Sequence, residues 1–546
     1  MELKPLPGVL RFWPWLAAIS SGLLCTVCFP PFDQSWLCWI ALTPLIVAVW
    51  FSGRNSSRRW LRNLVLGYVA GVVFFTATFS WFGSLGVLYE NFWLRGLSLL
   101  LSVYLGLNFA FWSWFIGLIA PSEFLSSWRN LLTAFLAAVA WVAHEWIRGW
   151  LFSGFGWNGL GVALHGNWLL IQIAEFSGVV GLSFVIAFAN VIAVTTPLRL
   201  FREAQRRQVK PHFDFTLTLA GIVGLLAFGF YSAQNRPPAK GLRVAAVQAD
   251  IPQHEKFDSQ FSAQIFERFA RLSKIALRSS SPPDLLVWPE SCMPDPVRDP
   301  NTDSSDFVSR FAEWPAWNPG SREPSKTDLL LGTLDEEEGD VYNAALLVSK
   351  GDEPMQIYRK VHLVPFGEYI PLRHSFPLFA AVASKWVPGD FVAGSDHTVF
   401  RLTNSDIHVA PLICFEDTVG DLVRQFVLKG ANLLVDVTND AWFLHSAGSH
   451  QHLANAIFRC VETRRPMVRA ANTGVTCFVN EFGRVTQKLQ DDTGSTFTEG
   501  VLTGEVKVPT EHELTFYTRH GEFFAKLCAA VTATAILAVF VLRRKL

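Results

Sequence analysis

Residues 97–120 read LSLLLSVYLGLNFAFWSWFIGLIA, an apolar run without one charged residue. A helix needs about 20 residues of this kind to cross the hydrocarbon core of a bilayer. The pattern repeats on both sides. Runs 12–28, 36–51 and 64–81 precede it, and runs 131–151, 169–195 and 215–231 follow. An eighth run, 524–542, lies at the far end. One such helix fits a soluble core. Seven in succession, with Trp and Tyr near their ends, read as membrane spans. The first run lacks a small-x-small cleavage site and more spans follow it, so it reads as a span and not as a signal peptide.

Composition agrees. Of 546 residues, 50% are hydrophobic, 14% aromatic and 17% charged. A soluble globular chain carries about a quarter charged residues. The deficit excludes a wholly soluble protein and a disordered one. The formal net charge is zero. A nucleic-acid partner would favour a basic excess, so none is expected.

The zero hides a division. Residues 1–239 hold 15 Lys and Arg against 8 Asp and Glu, a balance of +7, which leaves −7 for the remainder. The basic residues also alternate by loop. With a cytoplasmic N-terminus (Lys4, Arg11), the inner loops carry Arg54, Arg58, Arg59 and Arg62, then Arg129, then Arg199, Arg202, Arg206, Arg207 and Lys210. The tail adds Arg543, Arg544 and Lys545, while the opposite loops hold only Arg95 and Arg148. The positive-inside rule then places both termini in the cytoplasm and the acidic region 240–520 on the other side.

That region follows a Pro-rich linker, Arg236-Pro-Pro-Ala-Lys240. Segments 242–247, 285–288, 329–331, 344–348, 409–413, 433–437 and 467–471 are short β-rich runs. Segments 261–277 and 451–462 have helical spacing. Such alternation predicts a mixed α/β sandwich. The expected domains are 1–235 with seven membrane helices, 240–515 outside the cytoplasm, and 520–546 as a last helix with a basic tail. The stretch 299–326 carries no motif.

Of eight Cys, Cys25, Cys28, Cys38 and Cys528 fall in or near spans. The Cys25-x-x-Cys28 pair reads as packing, because no second ligand pair accompanies it. Cys292, Cys414, Cys460 and Cys477 lie in the outer region, where disulfides are permitted but cannot be paired from spacing. His445, His450 and His452 lack a carboxylate frame, and no metal site is expected.

Three segments carry chemistry: Leu285-Leu286-Val287-Trp288-Pro289-Glu290-Ser291, then Tyr358-Arg359-Lys360-Val361-His362-Leu363-Val364-Pro365-Phe366-Gly367-Glu368-Tyr369, then Val409-Ala410-Pro411-Leu412-Ile413-Cys414-Phe415-Glu416-Asp417. Singly, each has a bland reading: a loop acid, a solvated lysine, a core cysteine. Together they cohere. A thiol is only partly ionised at neutral pH and gains from an adjacent base. A carboxylate in a desolvated pocket can take and return that proton. An ammonium and a backbone N–H can hold the oxyanion of a tetrahedral intermediate.

In this order the three segments resemble the Glu–Lys–Cys triad of the nitrilase, or carbon-nitrogen hydrolase, superfamily. With eight spans around it, the whole chain resembles the membrane-embedded apolipoprotein N-acyltransferase family. Asp250-Ile251-Pro252-Gln253, Thr438-Asn439-Asp440-Ala441-Trp442-Phe443 and Arg469-Ala470-Ala471-Asn472-Thr473-Gly474 extend the likeness. The resemblance implies a multi-span α-helical membrane domain plus an α/β nitrilase-like α-β-β-α sandwich. It implies Glu290 as general base, Lys360 as oxyanion stabiliser and Cys414 as nucleophile. Glu368, Phe415, Glu416 and Asn343 take supporting roles. Phe415 stands where the family often has Tyr, and Phe257 where some members have Trp. Glu145 and Arg148 match a family motif at the end of the fifth span, with a structural ion pair as the equal alternative. Trp442 and Phe443 are candidates to touch acyl chains, or to anchor at the interface.

The implied reaction is ping-pong transfer of an acyl chain from a membrane phospholipid to the α-amino group of a diacylglyceryl-modified apolipoprotein Cys. The enzyme is expected in the bacterial inner membrane as a monomer, catalytic on the periplasmic side, with no cofactor. Two other classes stay open: a membrane-anchored amide or nitrile hydrolase using the same triad, and a transporter or receptor with a degenerate enzyme-like domain.

Overall fold

The computed structural model describes residues 12–53, 56–88, 90–121, 126–207, 210–235, 237–256, 258–292, 327–349, 355–370, 390–403 and 405–545. Lys4, Arg11, Arg54, Arg236, Phe257 and the stretch 299–326 lie outside them. The chain forms two compact units: residues 1–235, 446–455 and 522–546 make one, and residues 236–445 and 456–521 the other. The helix Gly448–Thr463 therefore starts in the first unit's residues and ends in the second's.

The first unit is helical. Among the described residues, six helices are long and apolar enough to cross a membrane: Arg59–Thr78, Leu97–Leu118, Ser127–Arg148, Val180–Arg206, Phe213–Gln234 and Phe523–Leu542. The first two apolar runs form shorter helices, Trp13–Val27 and Ser35–Phe51. The second of these is a 3₁₀ turn, Ser35–Trp39, followed by an α-helix that starts at Thr43 with Pro44 in its first turn. Proline has no N–H to leave unpaired there and its φ already suits a helix, so the helix begins at that point. The run 169–195 is also divided. Gly178 takes φ +67° after the short helix Ala174–Ser177, and the long helix begins at Val180. Glycine tolerates that conformation without the Cβ clash that other residues meet.

Small residues set the closest helix approach. A Cβ on Gly71 would lie 2.9 Å from the Gly106 Cα, which brings Arg59–Thr78 and Leu97–Leu118 together backbone to backbone. One buried amide is fully partnered. Gln451 accepts from the indole N–H of Trp81 and of Trp157 at 3.1 and 3.2 Å, and donates to the carbonyls of Pro30 and Thr78 at 3.0 and 3.1 Å. One amide thereby ties three separate segments of this unit.

The second unit holds two six-stranded sheets. Its strands are β1 (Ala239–Gln248), β2 (Leu285–Trp288), β3 (Asp328–Glu337), β4 (Asp340–Val348), β5 (Gln356–Arg359) and β6 (Phe400–Arg401). They continue with β7 (His408–Ile413), β8 (Leu433–Thr438), β9 (Met467–Ala471), β10 (Cys477–Val479), β11 (Val485–Lys488) and β12 (Gly500–Pro509). One sheet runs β12-β1-β2-β3-β4-β5 and the other β11-β10-β9-β8-β7-β6. Each has a parallel centre, β1-β2-β3 and β7-β8-β9, flanked by antiparallel strands. The sheets face each other, with β1, β2 and β3 against β9 and β8, and β4 against β7. The helix Ser262–Leu277 covers β1 and β12 from outside, and Gly420–Leu428 covers β7. This is the expected α-β-β-α sandwich. The helix Ser262–Leu277 buries Ile265, Phe269, Leu272 and Ala276 against Trp288 and Leu286. That spacing puts one apolar stripe on the sheet. β2 is buried along its whole length, as a parallel strand covered on both faces must be.

Candidate active site

Glu290 and Cys414 stand just past the carboxyl ends of two parallel strands, β2 and β7. Open α/β sheets place their chemistry at such ends, where loops diverge over a rigid edge. Lys360 follows β5 directly, and Asn343 lies in β4. All four belong to the second unit.

The carboxylate and the lysine converge. Lys360 Nζ lies 2.9 Å from Glu368 Oε2 and 3.8 Å from Glu290 Oε1. Asn343 Nδ2 donates to Glu290 Oε1 at 2.8 Å and to Glu368 Oε1 at 2.7 Å. Glu368 Oε2 also accepts the Val364 N–H at 2.7 Å. Lys360 is only 1% exposed. Burial alone would push its ammonium down, but Glu368 and Glu290 hold it above its ordinary range. It keeps its charge.

The turn carrying Glu290 is tight. Ser291 has φ +42°, and the Cys292 N–H donates to the Gly332 carbonyl at 2.9 Å. A Cβ on Gly332 would stand 2.5 Å from Glu290 Cα and 2.7 Å from the Pro289 carbonyl. Only glycine lets β3 come this close to the turn.

Cys414 takes φ +54°, between the end of β7 and a 3₁₀ turn, Cys414–Thr418. Holding a non-glycine residue there costs about 1–3 kcal/mol. The surrounding bonds fix it. Glu416 is fully buried and accepts at Oε2 from the Ile413 N–H at 3.0 Å. Its Oε1 accepts from the Val361 N–H at 2.8 Å, the His362 N–H at 3.0 Å and the Tyr358 hydroxyl at 2.7 Å. One carboxylate thus ties the Cys414 elbow to the segment that follows Lys360. Phe415 stacks on His362, with centroids 5.7 Å apart.

Cys414 is partly exposed while the other seven cysteines are buried, and none of the eight is in a disulfide. Burial and then the charge of Glu290 push its thiol well above the ordinary range, more than Lys360 and a hydrogen bond to Thr438 lower it. The thiol is therefore protonated at rest and needs a base to react. Its alkylation by iodoacetamide should rise about tenfold per pH unit between pH 6 and 7.5, because only the thiolate reacts. Peptide mapping by mass spectrometry would read this at Cys414, and a flat profile over that range would contradict it.

Three residues after Cys414, Asp417 enters a buried charge cluster. Arg469 reaches Asp436 at 3.2 Å, Asp440 at 3.1 Å and Asp417 at 3.5 Å, and all four side chains have no exposure. Burial and Asp417 push the Asp436 carboxyl well above its ordinary range.

Trp442 and Phe443 sit on the turn Asp440–Phe443, both partly exposed. Glu145 and Arg148 belong to the helical unit. They are buried there, yet among the described residues they form no ion pair with each other. Glu145 Oε1 accepts from the Trp141 indole N–H at 2.7 Å and the Leu160 N–H at 2.6 Å. Arg148 donates to the Trp157 carbonyl at 3.0 Å and lies over the Phe75 ring at 5.3 Å.

One group had no signal in the sequence. Lys256 is 3% exposed and donates from Nζ to the Glu290 carbonyl at 2.7 Å. In the chain it sits beside Glu255 and Asp258 and looks like an ordinary solvated charge. Among the described residues no cluster of His, Cys, Asp or Glu is arranged to hold a metal ion.

Comparison with known proteins follows the same division. Residues 21–192 match the apolipoprotein N-acyltransferase N-terminal domain, and residues 243–515 match the carbon-nitrogen hydrolase family. A relative from Geobacter metallireducens, an apolipoprotein N-acyltransferase, is 34% identical over 97% of this chain and 96% of its own. The chain belongs to the apolipoprotein N-acyltransferase family. A family member from Chlorobaculum tepidum is 29% identical over 97% of both chains. One from Haemophilus influenzae is 28% identical over 91% of each. Among solved structures, a CN-hydrolase superfamily protein from Xanthomonas campestris is 15% identical over 49% of this chain and 90% of its own, with a TM-score of 0.34. A mutant of a Nesterenkonia amidase from the nitrilase superfamily gives 17%, 51%, 93% and 0.35 by the same measures.

Proposed function

We propose that the protein transfers an acyl chain from a membrane phospholipid to the α-amino group of the diacylglyceryl-modified N-terminal Cys of apolipoproteins. What supports this reading is the Lys360–Glu290 pair at 3.8 Å, whose charges both act on the positive-φ Cys414, in a chain that matches the family almost end to end.

In the first half-reaction Glu290 takes the Cys414 proton as Sγ attacks the ester carbonyl of the phospholipid. The oxyanion faces Lys360 Nζ and the backbone N–H after the nucleophile. The intermediate collapses to a thioester. The leaving lysophospholipid oxygen takes the proton back from Glu290. In the second half-reaction the neutral amine attacks the thioester, Glu290 accepts its proton, and the amide forms as the Cys414 thiolate leaves and is reprotonated. Glu368 and Asn343 hold Lys360 and Glu290 in register, and Glu416 holds the elbow. Trp442 and Phe443 are the candidates for acyl-chain contact. No metal or organic cofactor enters these steps.

The proposed domains are a membrane part, 1–235, a catalytic part, 240–515, and a C-terminal helix with its tail, 520–546. The basic loops support a bacterial inner-membrane topology with both termini cytoplasmic and the catalytic part periplasmic. The proposed state is a monomer. Incubating the purified protein with phospholipid and a diacylated peptide tests the reading. N-acylated peptide with an equal amount of lysophospholipid is expected. Free fatty acid without N-acyl product would turn it into a hydrolase.

A further inference from the structure

We propose that Lys256 is the second cation of the site, a positioning residue whose ammonium fixes the turn that carries Glu290 and supplies charge favouring the Cys414 thiolate. This rests on the reading of Cys414 as the nucleophile.

The geometry comes first. Lys256 Nζ bonds to the backbone carbonyl of Glu290 itself, not to its carboxylate, at 2.7 Å. That carbonyl belongs to the turn strained at Ser291 and pressed against Gly332. A buried ammonium is expensive to desolvate and persists only where it is paired or hydrogen-bonded. The ionisable groups whose charge acts on it are, largest first, Glu290, Cys292 and Cys414.

The charges point the same way. Glu290 and Glu368 bring two negative charges, and Lys360 offsets one. Glu416 is met separately by three backbone N–H groups and the Tyr358 hydroxyl. With Lys256 the two ammonium groups match the charges of Glu290 and Glu368, while Glu416 and Asp440 add further negative charge that acts on Lys360 and Cys414. Without it, the cluster is more negative before any thiolate forms, and a further anion in low dielectric is disfavoured. Burial lowers the Lys256 ammonium to about 8, with Glu290, Cys292 and Cys414 acting against the fall. Its charge is therefore present at neutral pH and lost just above it.

The test is the pH profile of Cys414 alkylation in the full-length protein, read by peptide mapping, for Lys256→Gln and Lys256→Arg. Gln keeps a donor for the Glu290 carbonyl but no charge. Arg keeps both. At pH 7 the Gln variant should alkylate about tenfold more slowly, the effect of one opposite charge nearby. The gap should close above about pH 8, where the native ammonium loses its proton. The Arg variant should track the native protein at pH 7 and stay faster above pH 8, because guanidinium remains charged. A Gln profile superimposed on the native one overturns the proposal. So do Gln and Arg profiles slowed equally at every pH, which would mean packing and not charge. Failure of the underlying reading looks different: Cys414→Ala would still acquire an acyl group from phospholipid, whatever stands at position 256.

Discussion

Cys414→Ala leaves the protein folded and reduces acyl transfer by about 10⁴-fold or more, the loss typical of removing a nucleophile that acts as one unit with its base. The intact native protein gains the mass of one acyl chain on exposure to phospholipid, and the variant gains none. Folding is retained because alanine fits the space of the thiol, and the bonds that fix the elbow run through Glu416 and the backbone. Cys414→Ser is the sharper comparison. Its hydroxyl is a far weaker nucleophile, so turnover should fall steeply there as well. Full activity in the Ser variant without a covalent acyl group would exclude the thioester route.

Arg469→Met destabilises the second unit by about 3–5 kcal/mol, the usual effect of removing one partner from a buried ionic group. Asp417, Asp436 and Asp440 would then share a site without exposure and without their cation. The melting temperature in detergent should drop by on the order of 10 °C. The pH dependence has a definite sign. The Asp436 carboxyl already sits above its ordinary range, so the folded state binds more protons than the unfolded one as pH rises past the ordinary carboxylate range. Stability is then lost with rising pH. The deficit of the variant should therefore shrink on acidification toward pH 5 and widen above neutrality. Adding Asp436→Asn should recover part of the loss by removing one buried charge. A variant as stable as the native protein at pH 8 would show that the cluster carries no net ionic stabilisation.

Much of the architecture was legible because it rests on local pattern. The run 285–288 is β2 residue for residue, and 467–471 is β9. Buried parallel strands announce themselves as short apolar runs. β5, β6, β10, β11 and β12 carried no such signal. Gln356–Arg359 and Val485–Lys488 are polar flanking strands, and what makes them strands is the antiparallel ladder of the strand that precedes each, not an apolar pattern of their own. Apolar runs also overstated helix continuity. The segment 169–195 is broken at Gly178, a backbone feature that hydropathy does not see.

The site divides in the same way. Glu290 and Cys414 were readable as residues that follow a recognisable buried strand, whereas Lys360 and Glu368 stood out only through the family resemblance of the segment 358–369. Glu416 was readable as an acid beside the cysteine, but not its four donors, three of which belong to another segment. Glu145 and Arg148 left two readings open, a family motif and a structural ion pair, and in the fold they bond to an indole and to backbone groups.

The family resemblance pointed to the candidate nucleophile, base and cation, while sequence by itself determined the apolar helices, the division of charge and the strand ends. Each depends on composition or on neighbours close along the chain. Only the tertiary structure decided that Lys256 reaches the Glu290 carbonyl, that Arg469 gathers three aspartates, and that Gln451 joins Pro30, Thr78, Trp81 and Trp157. These are charged or polar side chains that look solvated when read singly. Burial makes them expensive unless partners meet them, and those partners come from segments that no local pattern connects.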